Sequence, residues 1–295
     1  GEGAGAEGRY REPVLCTSGW CRAAQVPLRI VAFLVFAVGN GLNLVALGLV
    51  QSSVVTLLGA WALVINIATA PVVLGESLSL YDGLSVLLII AGIAIAVFGS
   101  KHSSKSWQIE ELVRQYQLPS VIAFIAANGC IIVILVSIHI YYLRTRRRAS
   151  DEPPAWAKLS ILLTGAQISW FTVLFGKSAS SITLVSVSGN NQFVVPLATI
   201  IVVLFIISLP SQLLYVACSL AVNDALVHVP IFFTFYNIGS ILGGAFLYQE
   251  MNAFEPINFA LFALGVVILL LGVFAVNYAQ GLKDRAKAAA AAAAA

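Results

Sequence analysis

Eight stretches of this chain run for 17 to 29 residues with almost no charge: 27–50, 53–74, 83–99, 119–142, 157–176, 193–221, 226–248 and 257–279. They take up 182 of the 295 residues, and none of the thirteen Asp and Glu falls inside them. Arg29 and Lys158 do, each in the first turn of its stretch, where a long stem carries the charge to the headgroups. A helix crosses the hydrocarbon core in about 20 residues. In lipid every backbone polar group must be paired within the segment, so runs of this length are helical. An outer-membrane barrel would need alternating segments of about 10 residues, whereas Leu261 to Val276 is apolar on every side. Composition agrees: 60% of residues are apolar and 10% charged, with a mean hydropathy of +0.94. A soluble domain carries about 25% charged residues. A soluble enzyme, a disordered tail and a disulfide-stapled secreted module are excluded. The net charge of +3 is small and scattered, which argues against nucleic acid. The expected fold is an all-α polytopic membrane bundle of about eight transmembrane helices.

Orientation follows from the basic residues. With the amino terminus on side one, that side receives twelve Lys and Arg and side two receives four, Lys101, Lys105, Arg114 and Lys177. Both ends are therefore expected on the cytosolic side; which membrane holds the chain is not indicated. The expected organisation is a polar cytosolic-side segment (1–26), a first helical repeat of three spans (27–99), an interfacial loop (100–118), a second half of five spans (119–279) and a polar tail (280–295). The first 26 residues are too polar for a cleaved signal peptide. The chain opens at Gly1, its single methionine is Met251, and it closes in alanine from Ala288 to Ala295. A processed or incomplete start and an unassigned tail are both compatible with that. Residues 101–118, with Trp107, Glu110, Glu111, Val113, Arg114 and Tyr116, suit a short helix on the membrane surface. Arg144-Thr145-Arg146-Arg147-Arg148 suits a topology determinant touching anionic headgroups.

The chain also echoes itself. Residues 52–99 and 225–272 each read as two helices joined by a short turn bearing a glutamate, Glu76 in one and Glu250 in the other. The last helix of each copy carries two glycines seven apart, Gly92 and Gly99 against Gly265 and Gly272. Duplication of a helical unit explains this layout; two ordinary hairpins sharing Glu and Gly positions would give it too.

Gly39-Asn40-Gly41-Leu42-Asn43 is similar to the Gly-Glu-x-x-Asn signature of the NIPA-type magnesium transporters, within the drug/metabolite transporter superfamily. Ser53 to Ala60 resembles that family's Leu-Val-Thr-Pro-Leu-Gly-Ala segment, and Leu74-Gly75-Glu76 its Leu-x-Glu exit. Phe171 to Lys177 is similar to a family stretch ending in lysine, and Val227 to Phe232 resembles the Val-x-Pro-Ile-Tyr entry of the penultimate helix. The resemblance runs from about Pro27 to Tyr278. It implies a degenerate two-repeat transporter, three spans plus five, moving a divalent cation by rocking of its halves. Two departures stand out: Asn40 replaces the signature glutamate, and Leu57 the proline. The family pattern also begins with one further helix ahead of the first stretch found here.

Polar groups inside spans face a cavity or another helix. The candidate substrate pathway is Asn40, Asn43, Thr56, Asn66, Gln167, Lys177, His228 and Asn237, with Glu76 and Asp224 as carboxylates at its mouths. Asn128, His139, Ser169, Gln212 and Thr234 share the pattern. Interhelical hydrogen bonding explains each of them equally well, at about 0.6 kcal/mol apiece. Magnesium wants oxygen ligands and gives up water reluctantly. With carboxylates only at helix ends (Glu76, Asp82, Asp224 and Glu250), the expected cargo is a hydrated ion passing amides. A neutral or anionic organic solute is the alternative, with Lys177 as its counter-charge; Lys177 also reads as an interfacial anchor.

Gly239, Gly243 and Gly244, with Ser240, form two overlapping small-xxx-small pairs for close helix packing, within the bundle or against another protein. Pro210 should kink or break its helix, whereas Pro196 is tolerated near a start. Cys16 and Cys21 lack a partner pair for zinc, and Cys130 and Cys218 are packing residues. No cofactor, resident metal or catalytic constellation is expected, so the chain is not read as an enzyme. The expected partners are the bilayer, a small ion or solute, and conceivably other proteins of a membrane complex. In that last case the chain would be an accessory subunit.

Overall fold

Long apolar runs with paired backbones become helices in the computed structural model, which describes residues 31, 34–35, 38–74, 79–100, 107–145, 153–223 and 225–294. The chain divides into two units, 1–43 and 44–295. In the first, the described residues are helical, with Val31, Leu34, Val35, Val38 and Leu42 exposed. Helix α1 (Val38–Leu49) continues into the second unit. There follow α2 (Ser52–Leu58), α3 (Trp61–Leu74), α4 (Leu80–Gly99), α5 (Ile109–Tyr116), α6 (Pro119–Thr145), α7 (Ala155–Val187), α8 (Pro196–Val222), α9 (Ala225–Leu247), a 3-10 turn (Glu250–Ala253) and α10 (Pro256–Ala294). No strand occurs among the described residues.

Seven of the eight expected spans appear as helices long and apolar enough to cross a membrane. Of the first stretch, 27–50, the described part supplies the shorter α1. The protein is a multi-pass membrane helix bundle. Its outer surface would be untenable in water: Ile122, Val133 and Ile134 on α6 and Val203, Ile206 and Ile207 on α8 all point outward. At the other extreme α7 is the central helix, with 72% of its apolar window buried against 6% for α6.

Three boundaries differ from expectation, each for a physical reason. The stretch 53–74 is interrupted at Gly59–Ala60. There Gly59 N–H is shared between Val55 O (3.2 Å) and Thr56 O (3.1 Å), and Ala60 N–H reaches back three residues to Leu57 O (3.0 Å). That tightened pattern marks a 3-10 segment inside the span. Helix α7 runs eleven residues past the expected end at 176, through Lys177 and a serine run. Its hydroxyls return to carbonyls one turn back, as Thr183 does to Ala179 O (2.7 Å) and Ser186 to Ile182 O (2.7 Å). It stops at Ser188, before Gly189 turns into the left-handed region at φ 102°. The expected break at Pro210 does not occur; α8 is continuous through it.

The sequence echo has a counterpart in space. Helices α4 and α10 meet backbone to backbone. A methyl added at Gly92 would lie 2.7 Å from Leu269 Cα, and one at Gly265 would lie 2.7 Å from Ala96 Cα. At Gly99 it would meet Phe262 N at 2.5 Å, and at Gly272, Ile89 N at 2.9 Å. Adding 173 to a residue number carries Gly92 to Gly265 and Gly99 to Gly272, and the same shift exchanges these contacts. Gly92–Leu269 becomes Gly265–Ala96, and Gly99–Phe262 becomes Gly272–Ile89. The contacts run in opposite directions along the two helices, as an inverted repeat about a pseudo-two-fold axis requires. Lipid tails are as apolar as leucine, so close approach of this kind, rather than expulsion of water, holds membrane helices together.

Candidate functional site

A fully buried ion pair is assembled from three separate elements. Tyr248 follows the last residue of α9; Gln249 takes the left-handed conformation (φ 52°, ψ 34°), and the chain turns to place Glu250 at the start of the 3-10 turn. The Glu250 carboxylate is buried against the first residues of α2. It accepts from Ser52 N (2.8 Å), Ser52 Oγ (2.8 Å), Ser53 N (3.3 Å) and Ser53 Oγ (2.5 Å). Lys177 Nζ, from the middle of α7, completes the shell at 2.5 Å. Gly244 leaves the room: a methyl there would sit 2.9 Å from both Glu250 Cδ and Ser52 Oγ.

Burial by itself raises the Glu250 carboxyl. The Lys177 charge, its hydrogen bond and those from Ser53 and Ser52 outweigh that, holding the group below its ordinary value of 4.5. Lys177 Nζ also lies 4.6 Å over the Tyr248 ring. Tyr248 Oη donates to Leu174 O (2.6 Å) and shares a hydrogen bond with Ser178 Oγ (2.7 Å), which in turn meets Tyr116 Oη at 3.2 Å. Burial pushes the Tyr116 phenol up to about 12 despite the Ser178 bond, so it stays a neutral donor.

Helix α5 closes this end of the bundle. Trp107, Ile109 and Leu112 are buried in one apolar cluster with Trp170, Leu174 and Leu247. Ile109 N donates to Gln192 Oε1 (2.7 Å), and Gln249 Nε2 to Gln115 Oε1 (3.2 Å). The segment expected to lie on the membrane surface is thus a short helix docked over the ion pair through its apolar face.

The pathway residues expected from sequence are dispersed. Asn40 and Asn43 belong to the first unit, where both are exposed. Thr56 is buried and its Oγ1 returns to Ser52 O and Ser53 O (both 3.0 Å). Asn66 lies in α3, its side chain outside the described residues, as are Glu76 and Asp224 altogether. Gln167 donates to Asn128 Oδ1 (3.5 Å) and accepts from Trp170 Nε1. His228 Nδ1 pairs with Ser219 Oγ (2.8 Å). Asn237 is fully buried and gives its amide N–H to Phe233 O (2.8 Å). Lys177 is no interfacial anchor: it is 5% exposed and its charge is matched by Glu250. Glu250 is correspondingly no helix-end carboxylate in contact with water. Gly239 and Gly243 receive the Trp170 ring and the Leu174 side chain of α7. Sequence reasoning missed Glu250, Ser52, Ser53, Ser178 and Tyr248 as members of one site.

A bundle with an inverted helical repeat and a buried ion pair beside an interrupted span has the architecture of a membrane carrier. The chain belongs to the NIPA magnesium transporter family, whose pattern, described as "Magnesium transporter NIPA", it matches over residues 14–282. It is 26% identical over 251 residues to "Probable magnesium transporter NIPA8" of Arabidopsis thaliana, covering 82% of this chain and 56% of that one. It is 24% identical over 250 residues to "Magnesium transporter NIPA4" of Homo sapiens, covering 82% and 57%. It is 20% identical over 256 residues to a "Probable magnesium transporter" of Candida albicans, covering 87% and 67%. The chain thus spans little more than half the length of the plant and human relatives. No solved structure matches it.

Proposed function

We propose that this protein carries a divalent cation, magnesium, across a membrane, with both ends of the sequence on the cytosolic side, as the count of basic residues favours. Family membership across residues 14–282 carries the reading. The interior supports it: beside Asp82, Lys177 and two histidines, the polar groups described within the spans are mainly amides and hydroxyls, whose oxygens suit a cation that keeps most of its water. The Lys177–Glu250 pair sits beneath α5, an end of the bundle that the same count assigns to side two. No catalytic role is assigned to any residue, and the bilayer and the ion are the partners proposed.

The test is uptake by liposomes holding the purified protein and an internal magnesium-sensitive dye. Saturable magnesium entry above that of protein-free liposomes is expected. Absence of such entry, with other proteins co-purifying in fixed ratio, would replace the carrier reading by that of an accessory subunit, in keeping with Asn40 at the signature-glutamate position.

A further inference from the structure

The geometry points to a binding site for a hydrated divalent cation on the face of α9 that carries Thr234, Asn237 and Ser240, where that face meets the break between α2 and α3. The inference rests on the carrier reading and adds to it a place and a ligand set.

The side chains of Asn237 and Ser240 are fully buried, yet Asn237 Oδ1, Ser240 Oγ and Thr234 Oγ1 have no hydrogen-bond partner. Buried polar atoms are almost always paired, so three unpaired oxygens within two turns of one helix call for an explanation. The Asn237 amide cannot be turned round to remove the problem. Its nitrogen faces Phe233 O at 2.8 Å, and a carbonyl oxygen only accepts. Oδ1 is therefore an acceptor with nothing to accept.

Positions 234, 237, 240 and 244 share one side of a helix with 3.6 residues per turn. Gly244 fixes which side, since it faces Ser52 Oγ and Glu250. Helix α2 begins at that level and returns through the bundle against α9. Seven residues on from Ser52 is Gly59, and seven back from Gly244 is Asn237, so Asn237 stands level with the interruption at Gly59–Ala60. Leu57 and Ala60 share a single apolar cluster with Phe233 and Ile241, which agrees with that register. Carriers commonly build their ion sites at such interrupted spans near the midplane.

The same face leads to the opposite side of the bundle. One turn before Thr234 is Pro230, which lines a cavity of about 420 Å³ with Phe274 and Asn277 of α10. Asn277 repeats the arrangement of Asn237: its amide N–H goes to Val273 O (2.7 Å), and its Oδ1 is buried and unpaired. Arg285 is exposed at the cavity rim, where solvent screens it.

The chemistry selects the ligand. Two amide oxygens fixed as acceptors and two hydroxyls suit a species that donates hydrogen bonds outward, as the water shell of a divalent cation does. An anion would meet acceptors and be repelled. A stripped ion would want a carboxylate, which this face lacks.

The experiment compares wild type with Asn237→Leu, Ser240→Ala and Asn237→Asp in magnesium uptake by proteoliposomes. It also measures the magnesium-dependent rise in melting temperature of the purified protein. Asn237→Leu should raise KM about tenfold, the effect of one lost charge-assisted hydrogen bond. It should leave the melting temperature without magnesium unchanged or higher, because leucine replaces an unpaired oxygen. Asn237→Asp should lower the half-saturating magnesium concentration by a similar factor. Saturable uptake by wild type with KM unchanged within twofold in all three variants overturns the site. If wild type shows no uptake, the carrier reading fails and the melting shift decides the site. A shift that Asn237→Leu or Ser240→Ala weakens supports it; no shift in wild type, or an equal shift in the variants, refutes it. Should Asn237→Leu not fold, the other two variants decide.

Discussion

Neutralising Glu250 should be far more damaging than removing its partner Lys177, although both belong to one ion pair. In Glu250→Gln the ammonium of Lys177 stays buried, 5% exposed, with its counter-charge gone and only a neutral amide oxygen and the face of Tyr248 at 4.6 Å beside it. Breaking a buried pair so as to strand a charge costs about 3–5 kcal/mol. For a chain of this length that corresponds to a melting temperature lower by roughly 6–10 °C. In Lys177→Met the stranded group is the carboxylate, which keeps the hydrogen bonds from Ser52 N, Ser52 Oγ, Ser53 N and Ser53 Oγ. A carboxylate so held loses less, about 1–3 kcal/mol. The double variant Glu250→Gln with Lys177→Met carries no stranded charge and should be more stable than Glu250→Gln alone, a non-additivity that measures the pair directly. Thermal unfolding of the detergent-purified protein, followed by Trp fluorescence, reads all three, since Trp107 and Trp170 lie in the apolar cluster beside the pair. The reasoning is refuted if Glu250→Gln melts within 2 °C of wild type (about 1 kcal/mol), or if Lys177→Met is the more damaging change.

Two further outcomes follow from the geometry. Gly92→Ala should destabilise by about 1–3 kcal/mol, because the added methyl meets the α10 backbone. Gly129→Ala on α6, where a methyl meets nothing within 4 Å, should instead gain up to about 1 kcal/mol from helix propensity; equal melting temperatures for the two would argue against the seam. The Glu250 carboxyl, held below 4.5 when folded, binds its proton less readily than in the unfolded chain. Its contribution is therefore whole above about pH 4.5 and is lost as pH falls through the lower folded value. The gap in melting temperature between wild type and Glu250→Gln should stay constant from pH 7 to 5 and narrow below that, and a gap unchanged at pH 3 would count against the pair.

How much of this could be read from the sequence depends on the range over which each feature is encoded. Span positions come from local composition, and helix ends lie close to the stretches wherever charge or proline marks them, as at Pro119, Pro196 and Pro256. The echo was visible because Gly92, Gly99, Gly265 and Gly272 keep a spacing set by helix geometry. Glu250 and Lys177 were placed at helix ends because a charge in an apolar chain is cheapest there, and a partner 73 residues away leaves no local trace. A weaker signal was present: Lys177 is the only basic residue between Lys158 and Lys283, and Glu250 the only carboxylate between Asp224 and Glu255. Two isolated opposite charges in so apolar a stretch are each costly without the other. The α2–α3 interruption was not legible, because Gly59 inside a span reads equally as a packing glycine.

Two contacts between the repeats differ in what could loosen them. The α4–α10 seam is glycine against backbone, repeated about a pseudo-two-fold axis, and it ends in an ion pair between Lys283 Nζ of α10 and the buried Asp82 Oδ2 of α4 (2.5 Å). The glycine contacts themselves carry no charge, so only the Asp82–Lys283 end of the seam can respond to an ion or a proton. The contact of α2 with α7 and the 3-10 turn depends on one carboxylate and one ammonium, and α2 is a seven-residue segment separated from α3 by the interruption at Gly59–Ala60. A change of charge at Glu250 would release α2 at that point without disturbing α3 or the seam. Release would open the Asn237 face toward the α5 end of the bundle, whereas the cavity at Asn277 lies toward the far end of α10, beside Gly281 and Arg285. The contact at α2 is thus one that a change at Glu250 alone would loosen, with the interruption at Gly59–Ala60 as its hinge.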